Sequence, residues 1–190
     1  MKNWMFYFLL FSSLAWAHSS EAFQGFGFIQ GLKHPILGLD HLLAMLCVGM
    51  ISSKIGKQAI WQVPACFVFV MAIGCVIGFF GASFGIIEPM IALSILTFGV
   101  LLIIPFKLNT LATLITVALF ALVHGYAHGK EMPLFVLPEI YILGFMTATT
   151  LIHILGVGIG EIINRIPYSN ITYKITGTGL IATGLYFIIM

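Results

Sequence analysis

Charge is what this sequence has least of. Only 7% of its 190 residues are Asp, Glu, Lys or Arg, against about 25% in ordinary soluble domains, and this excludes a solvated globular surface. The net charge at pH 7 is +2, too small to hold a polyanion, so no nucleic acid is expected as a partner. Cysteine is scarce as well. The three, Cys47, Cys66 and Cys75, lie in apolar segments without a C-x-x-C spacing, which excludes a disulfide framework or a zinc knuckle and leaves them as small buried hydrophobes. No G-x-x-x-x-G-K-[ST] loop occurs, so P-loop nucleotide chemistry is excluded too.

What the chain has instead is apolar length. Hydrophobic residues make up 61% and the mean hydropathy is +1.12, the composition of an integral membrane protein with the lipid bilayer as its solvent. Residues 1–17 open with Lys2, run through Trp4–Leu10 and close on Ala15-Trp16-Ala17, the pattern of a secretory signal peptide cut after Ala17. An uncleaved extra helix stays open, because Lys2 is cytoplasmic either way. Cleavage would make His18 the first residue, and its amine and imidazole together could chelate a metal; alternatively the polar run at 18–21 only assists processing. Residues 19–33 are Gly-rich and aromatic and are expected to lie over the outer face.

Six apolar stretches follow, about 35–53, 60–80, 87–105, 109–127, 134–160 and 171–190, each near the roughly 20 residues that a bilayer requires. The expectation is one all-α transmembrane domain over 18–190, a compact bundle of six helices. Lys54, Lys57, Lys107, Arg165 and Lys174 fall on one set of connections and Lys33 and Lys130 on the other. This bias places both mature termini outside. It also brings the start of the first helix and the end of the fourth to the same outer side. Glycine pairs at i, i+4 (Gly74/Gly78, Gly125/Gly129, Gly156/Gly160) let helix backbones approach closely. Two three-helix halves related by inversion are one arrangement compatible with this order, and a homo-oligomer is compatible with it as well.

The polar residues are gathered rather than scattered. His34-x5-Asp40-His41 stands at the mouth of the first apolar stretch; a helix starting near Pro35 would carry Asp40 about 7 Å past its first turn. A charge there costs on the order of 2.5–3.5 kcal/mol and normally has a partner or marks a site. His124-Gly-Tyr-Ala-His128-Gly-Lys-Glu131 closes the fourth stretch. Its imidazoles, four residues apart, share a helical face as divalent-metal ligands do, with Glu131 reaching in from the loop. In the fifth stretch Glu139, Met146 and His153 recur every seven residues, with Thr149 and Thr150 beside them; this stripe reads either as a relay of temporary ligands or as packing by Met146 and a helix-to-helix bond by His153. Glu88 and Met45 are further pathway candidates, and Glu161 reads as an interfacial charge.

The two motifs resemble the signatures HX5DH and FHGX(A/V)HGXE of the HupE/UreJ family of nickel permeases, with Val123 standing where the family has Phe. The resemblance implies a multi-pass inner-membrane protein that imports Ni2+, or alternatively Co2+, as cargo for a hydrogenase or urease, with no prosthetic group and with the motif histidines and acids functional. It implies a secondary carrier rather than an enzyme. Ligand type alone does not choose among Ni, Co, Zn and Cu. Two other classes stay open: an intramembrane zinc hydrolase with three ligands and an activated water, and an accessory or sensor protein that binds metal without flux.

Overall fold

Where lipid offers the backbone no hydrogen-bond partner, a chain satisfies its own N–H and C=O groups within helices. The computed structural model describes residues 25–81, 85–105 and 108–189, and among the described residues all regular structure is helical. The helices are α1 (Gly25–Leu37), α2 (Leu39–Ile55), α3 (Ala59–Phe80), α4 (Ile87–Ile103), α5 (Thr110–Lys130), α6 (Pro138–Arg165) and α7 (Ser169–Ile189). The expected leader at 1–17, His18 and Lys107 lie outside the described residues.

The first apolar stretch departs from expectation. Residues 25–37 are a helix of their own, and the chain then bends by 80° before α2 begins at Leu39. Pro35 offers no N–H to the Gly31 carbonyl, and Gly38 leaves the helix in extended geometry (φ −79°, ψ 107°). Asp40 is therefore the second residue of α2 rather than more than a turn inside a longer helix. Close packing needs a glycine on each side of the contact between α1 and α6: a methyl at Gly31 would collide with the Tyr141 carbonyl, and one at Gly144 with that of Phe28. Tertiary contact overrides the low helix propensity of glycine.

By length and composition, α3, α5 and α6 can each cross a membrane; α1 and α2 supply a fourth crossing if the bent pair is one span, and α4 is apolar but shorter, at 17 residues. The dominant pairings are α3 with α5, α4 with α7, and α2 with α6. Each rests on glycine. Cβ atoms at Gly74, Gly78, Gly125 and Gly129 would collide with facing backbone of the α3–α5 pair, those at Gly49 and Gly156 with backbone of the α2–α6 pair, and Gly99 and Gly177 face each other across α4–α7. Exchanging α2–α4 with α5–α7 maps the α2–α6 pair onto α5–α3 and returns α4–α7 to itself. The next pairings break the exchange, since α2 packs on α3 and α4 whereas α5 has no comparable packing on α6 or α7 among the described residues.

The end of the bundle remote from Asp40 is closed by a polar network. Lys54, expected in the connection after the first helix, lies in the last turn of α2, where its ammonium donates to the carbonyls of Leu101 (3.1 Å), Leu102 (2.7 Å) and Ile104 (2.7 Å). These are the orphan carbonyls and the negative end of α4. Lys174 likewise lies within α7. Ser53 donates to Glu161 at 2.7 Å, so that carboxylate has a specific partner on α2.

The glycine seams give a direct test. Gly125→Ala should lower the thermal unfolding midpoint of the detergent-solubilised protein, an overpacking loss of about 1–3 kcal/mol, because the Met71 carbonyl occupies the space of its Cβ. Gly158→Ala meets nothing within 4 Å and should raise stability by about 0.5–1 kcal/mol. Equal effects of the two would show that close approach does not hold α3 to α5.

Candidate functional site

The bend at Gly38 and the α3–α5 seam together bring both motifs to one end of the bundle. His34 near the end of α1, His41 in the first turn of α2, and His124 and His128 in the last turns of α5 form a continuous set of ring contacts. Centroids are 4.7 Å apart for His34–His128, 5.0 Å for His41–His128, 5.1 Å for His41–His124 and 6.1 Å for His34–His41. His41, His124 and His128 are buried. His34 and His41 meet across the bend between two helices.

Hydrogen bonds assign the ring nitrogens. His124 Nδ1 lies 2.9 Å from the Phe120 carbonyl, which can only accept, so Nδ1 carries the proton and Nε2 the lone pair. Asp40 Oδ1 accepts from the His41 backbone N–H at 2.9 Å and pairs with His41 Nδ1 at 3.0 Å, leaving Nε2 of His41 free in the same way. Such outer bonds orient imidazoles as metal ligands. Nε2 of His41, Nε2 of His124 and both nitrogens of His128 are buried without a hydrogen-bond partner among the described residues. Each such group costs about 1–3 kcal/mol. The negative end of α5 also points at this spot and favours a cation there.

Glu131, expected to close the site from the loop, follows α5 directly and binds His34 Nε2 at 2.8 Å. The His34 hydrogen bond holds the Glu131 carboxyl below its ordinary range, against the opposing effect of burial. A pocket of about 370 Å³ opens over the cluster, lined by His34, Asp40, His41, Glu88 and Glu131 with Gln30 and Lys33. Glu88, proposed from sequence as a lesser candidate, thus joins the two motifs. Gly38 is needed beneath them: a Cβ there would stand 3.1 Å from both Asp40 Oδ1 and His41 Nδ1.

The other candidates lie elsewhere. Met45 is fully buried in the core, and Glu139 is exposed in the first turn of α6. Met146 is half-buried beside a separate apolar groove that His153 also lines. His153 is fully buried and contacts the Phe67 ring at 5.1 Å, whose other neighbour is His124 at 5.5 Å. Three aromatic neighbours escaped the sequence reading: Phe67, Phe145 stacked on His128 at 5.0 Å and 6°, and Tyr141 at 6.2 Å from His34. Nothing marks them among 17 phenylalanines and 6 tyrosines. Among the described residues no three His, Cys, Asp or Glu side chains are already arranged to hold a metal ion together; the four imidazoles pack edge to face.

Comparison with known proteins agrees with the motifs. The family described as HupE / UreJ protein matches residues 6–187. Protein HupE of Rhizobium leguminosarum bv. viciae is 40% identical over 146 residues, which cover 77% of this chain and 76% of that protein. No solved structure matches.

The Glu131 bridge has a pH signature. Because its carboxyl is depressed in the folded protein, its stabilisation is present above the unfolded carboxyl range, about pH 4.3, and is lost as pH falls through the lower folded value. Glu131→Gln should therefore lower the unfolding midpoint slightly at pH 7, with the difference from wild type shrinking toward pH 4. A difference that grows on acidification would contradict the bridge.

Proposed function

This chain belongs to the HupE/UreJ family, and from that premise and the histidine cluster we propose that it is a secondary carrier importing Ni2+, or Co2+, across the inner membrane for hydrogenase or urease maturation. The observation that supports this best is the set of buried imidazoles in which His41 touches both His124 and His128, whose unpartnered nitrogens lie beneath a pocket lined by three carboxylates, Asp40, Glu88 and Glu131. A dication in the pocket is first attracted by acids. It is then passed to neutral nitrogen donors, with Asp40 and Glu131 offsetting its charge. In this reading α2 to α7 make six crossings, and the cluster faces outward.

Edge-to-face packing favours a carrier over a resident catalytic zinc. A hydrolase holds three ligands converged and one position open for water. Here the imidazoles must swing to ligate and can swing back, which suits a cargo that is bound and released. The pocket lining holds no cysteine, so no thiolate is present to retain a borderline-soft metal.

Uptake of Ni2+ into proteoliposomes, with Co2+, Zn2+ and Cu2+ in competition, tests the reading; metal binding without flux would instead favour the accessory or sensor class, and turnover of an amide or ester the hydrolase. Asp40→Asn keeps the side-chain shape and removes the charge that holds His41 Nδ1. It should insert normally and reduce uptake at least about tenfold, the loss expected for an outer partner of a metal ligand. Wild-type uptake by this variant would remove Asp40 from the pathway. His41→Ala and His124→Ala should each nearly abolish uptake, with the double variant scarcely worse, since groups acting as one unit are non-additive; multiplicative losses would mean two separate sites.

A further inference from the structure

One buried imidazole is not used by the cluster. His153, midway along α6, is 1% exposed, and neither of its ring nitrogens has a hydrogen-bond partner among the described residues. A histidine that only tied two helices together would bond to one of them. Leaving such a group unpaired costs about 1–3 kcal/mol, and an apolar side chain of similar volume would avoid that cost. The position of His153 suggests what the cost supports. The Phe67 ring touches His124 on one side, at 5.5 Å, and His153 on the other, at 5.1 Å, so His153 is the next nitrogen-bearing group inward from the cluster.

Its surroundings offer further donors without a charge. His153 lines an apolar groove of about 540 Å³ together with Met146, Thr150, Ile60 and Pro64. Pro64 stands inside α3 and supplies no N–H to the Ile60 carbonyl four residues earlier, so that oxygen keeps its lone pairs. Thr150 donates to the Met146 carbonyl at 2.7 Å, which leaves its hydroxyl oxygen able to accept. Imidazole, thioether, hydroxyl and carbonyl are ligands for a borderline-soft divalent cation. No carboxylate lines this groove, so the cation would be held weakly, as a step between two tighter sites requires.

Resting on the carrier reading above, we infer that His153 is a second, deeper binding station for the transported divalent cation, separated from the outer cluster by the Phe67 ring. The experiment compares equilibrium Ni2+ binding to the purified protein in nanodiscs with initial Ni2+ uptake into proteoliposomes, for wild type, His153→Leu and His153→Cys. His153→Leu should bind Ni2+ at the outer cluster within about twofold of wild type and lose uptake at least about tenfold. His153→Cys, which restores a ligand, should recover most of that uptake. If His153 were merely packing, the Leu variant would carry metal at the wild-type rate, and that result overturns the inference while leaving the carrier intact. Loss of binding and uptake together in both variants also overturns it, because His153 would then belong to the cluster or the scaffold. Wild-type protein that binds Ni2+ without moving it would end the carrier reading itself, and this inference with it.

Discussion

Backbone contact through glycine sets the spacing between these helices, and the distances within the histidine cluster are inherited from it. In a bilayer, lipid tails are as apolar as leucine, so helices associate through close van der Waals fit rather than through burial from water. Gly125 and Gly129 of α5 press against the backbone around Met71 and Cys75, and Gly74 and Gly78 of α3 press back at Leu122 and Tyr126. His124 and His128 are the residues immediately before two of those glycines. Their depth and direction therefore follow from a seam in which neither helix can shift without collision. The same device places the other imidazoles: Gly31 and Gly144 hold α1 to α6 beside His34, and Gly49 meets the carbonyl of His153 itself.

Electrostatics then decides what this geometry is for. A lone carboxylate or imidazolium at this depth would be costly, and the protein avoids it by joining Asp40 to His41 and Glu131 to His34. Asp40 holds His41 through Nδ1 and leaves Nε2 unpartnered, so a cation taking the Nε2 lone pair would keep the Asp40 bond, and the carboxylate would help offset its charge. Three carboxylates against one ammonium, Lys33, line the pocket, and this imbalance concentrates cations at its mouth.

Much of this was legible in the sequence, because hydropathy and histidine spacing are local signals. The apolar stretches expected at 60–80 and 87–105 are helices at Ala59–Phe80 and Ile87–Ile103, and both motifs reach one end of the bundle. What stayed hidden was decided by tertiary contact. Residues 19–33 were expected only to lie over the outer face, yet residues from Gly25 on form α1, and Gly31 leaves room for the Tyr141 carbonyl of α6. The stripe Glu139–Met146–His153 read as one face, but a straight α-helix drifts by about 20° per seven residues, and Glu139 is exposed where His153 is fully buried. Phe67 carries no motif at all; only the fold shows that it stands between two histidines.

The two ends of the bundle are not equivalent. At the histidine end a polar pocket stands open. Beyond His153 the α2–α6 seam is packed shut: a methyl at Gly156 would strike the Leu46 carbonyl, and one at Gly160 would lie 2.7 Å from Ser53 Cβ. Below that, Ser53 bonds Glu161, Asn164 donates to Ser53 at 3.0 and 3.2 Å, and Tyr173 holds Asn164 at 3.0 Å. No gap separates α2 from α6 along this stretch of the seam. Those helices form the pair that half-exchange maps onto α5–α3, the seam beneath the cluster. The exchange does not extend to the rest of the bundle, because α2 also packs on α3 and α4 while α5 has no comparable packing on α6 or α7 among the described residues. The network around Ser53 that closes this end is made of neutral hydrogen bonds and a single carboxylate, Glu161, bonds that individually contribute about 0.5–3 kcal/mol, so the far end is held by many modest contacts where the histidine end is held by two carboxylate–imidazole pairs.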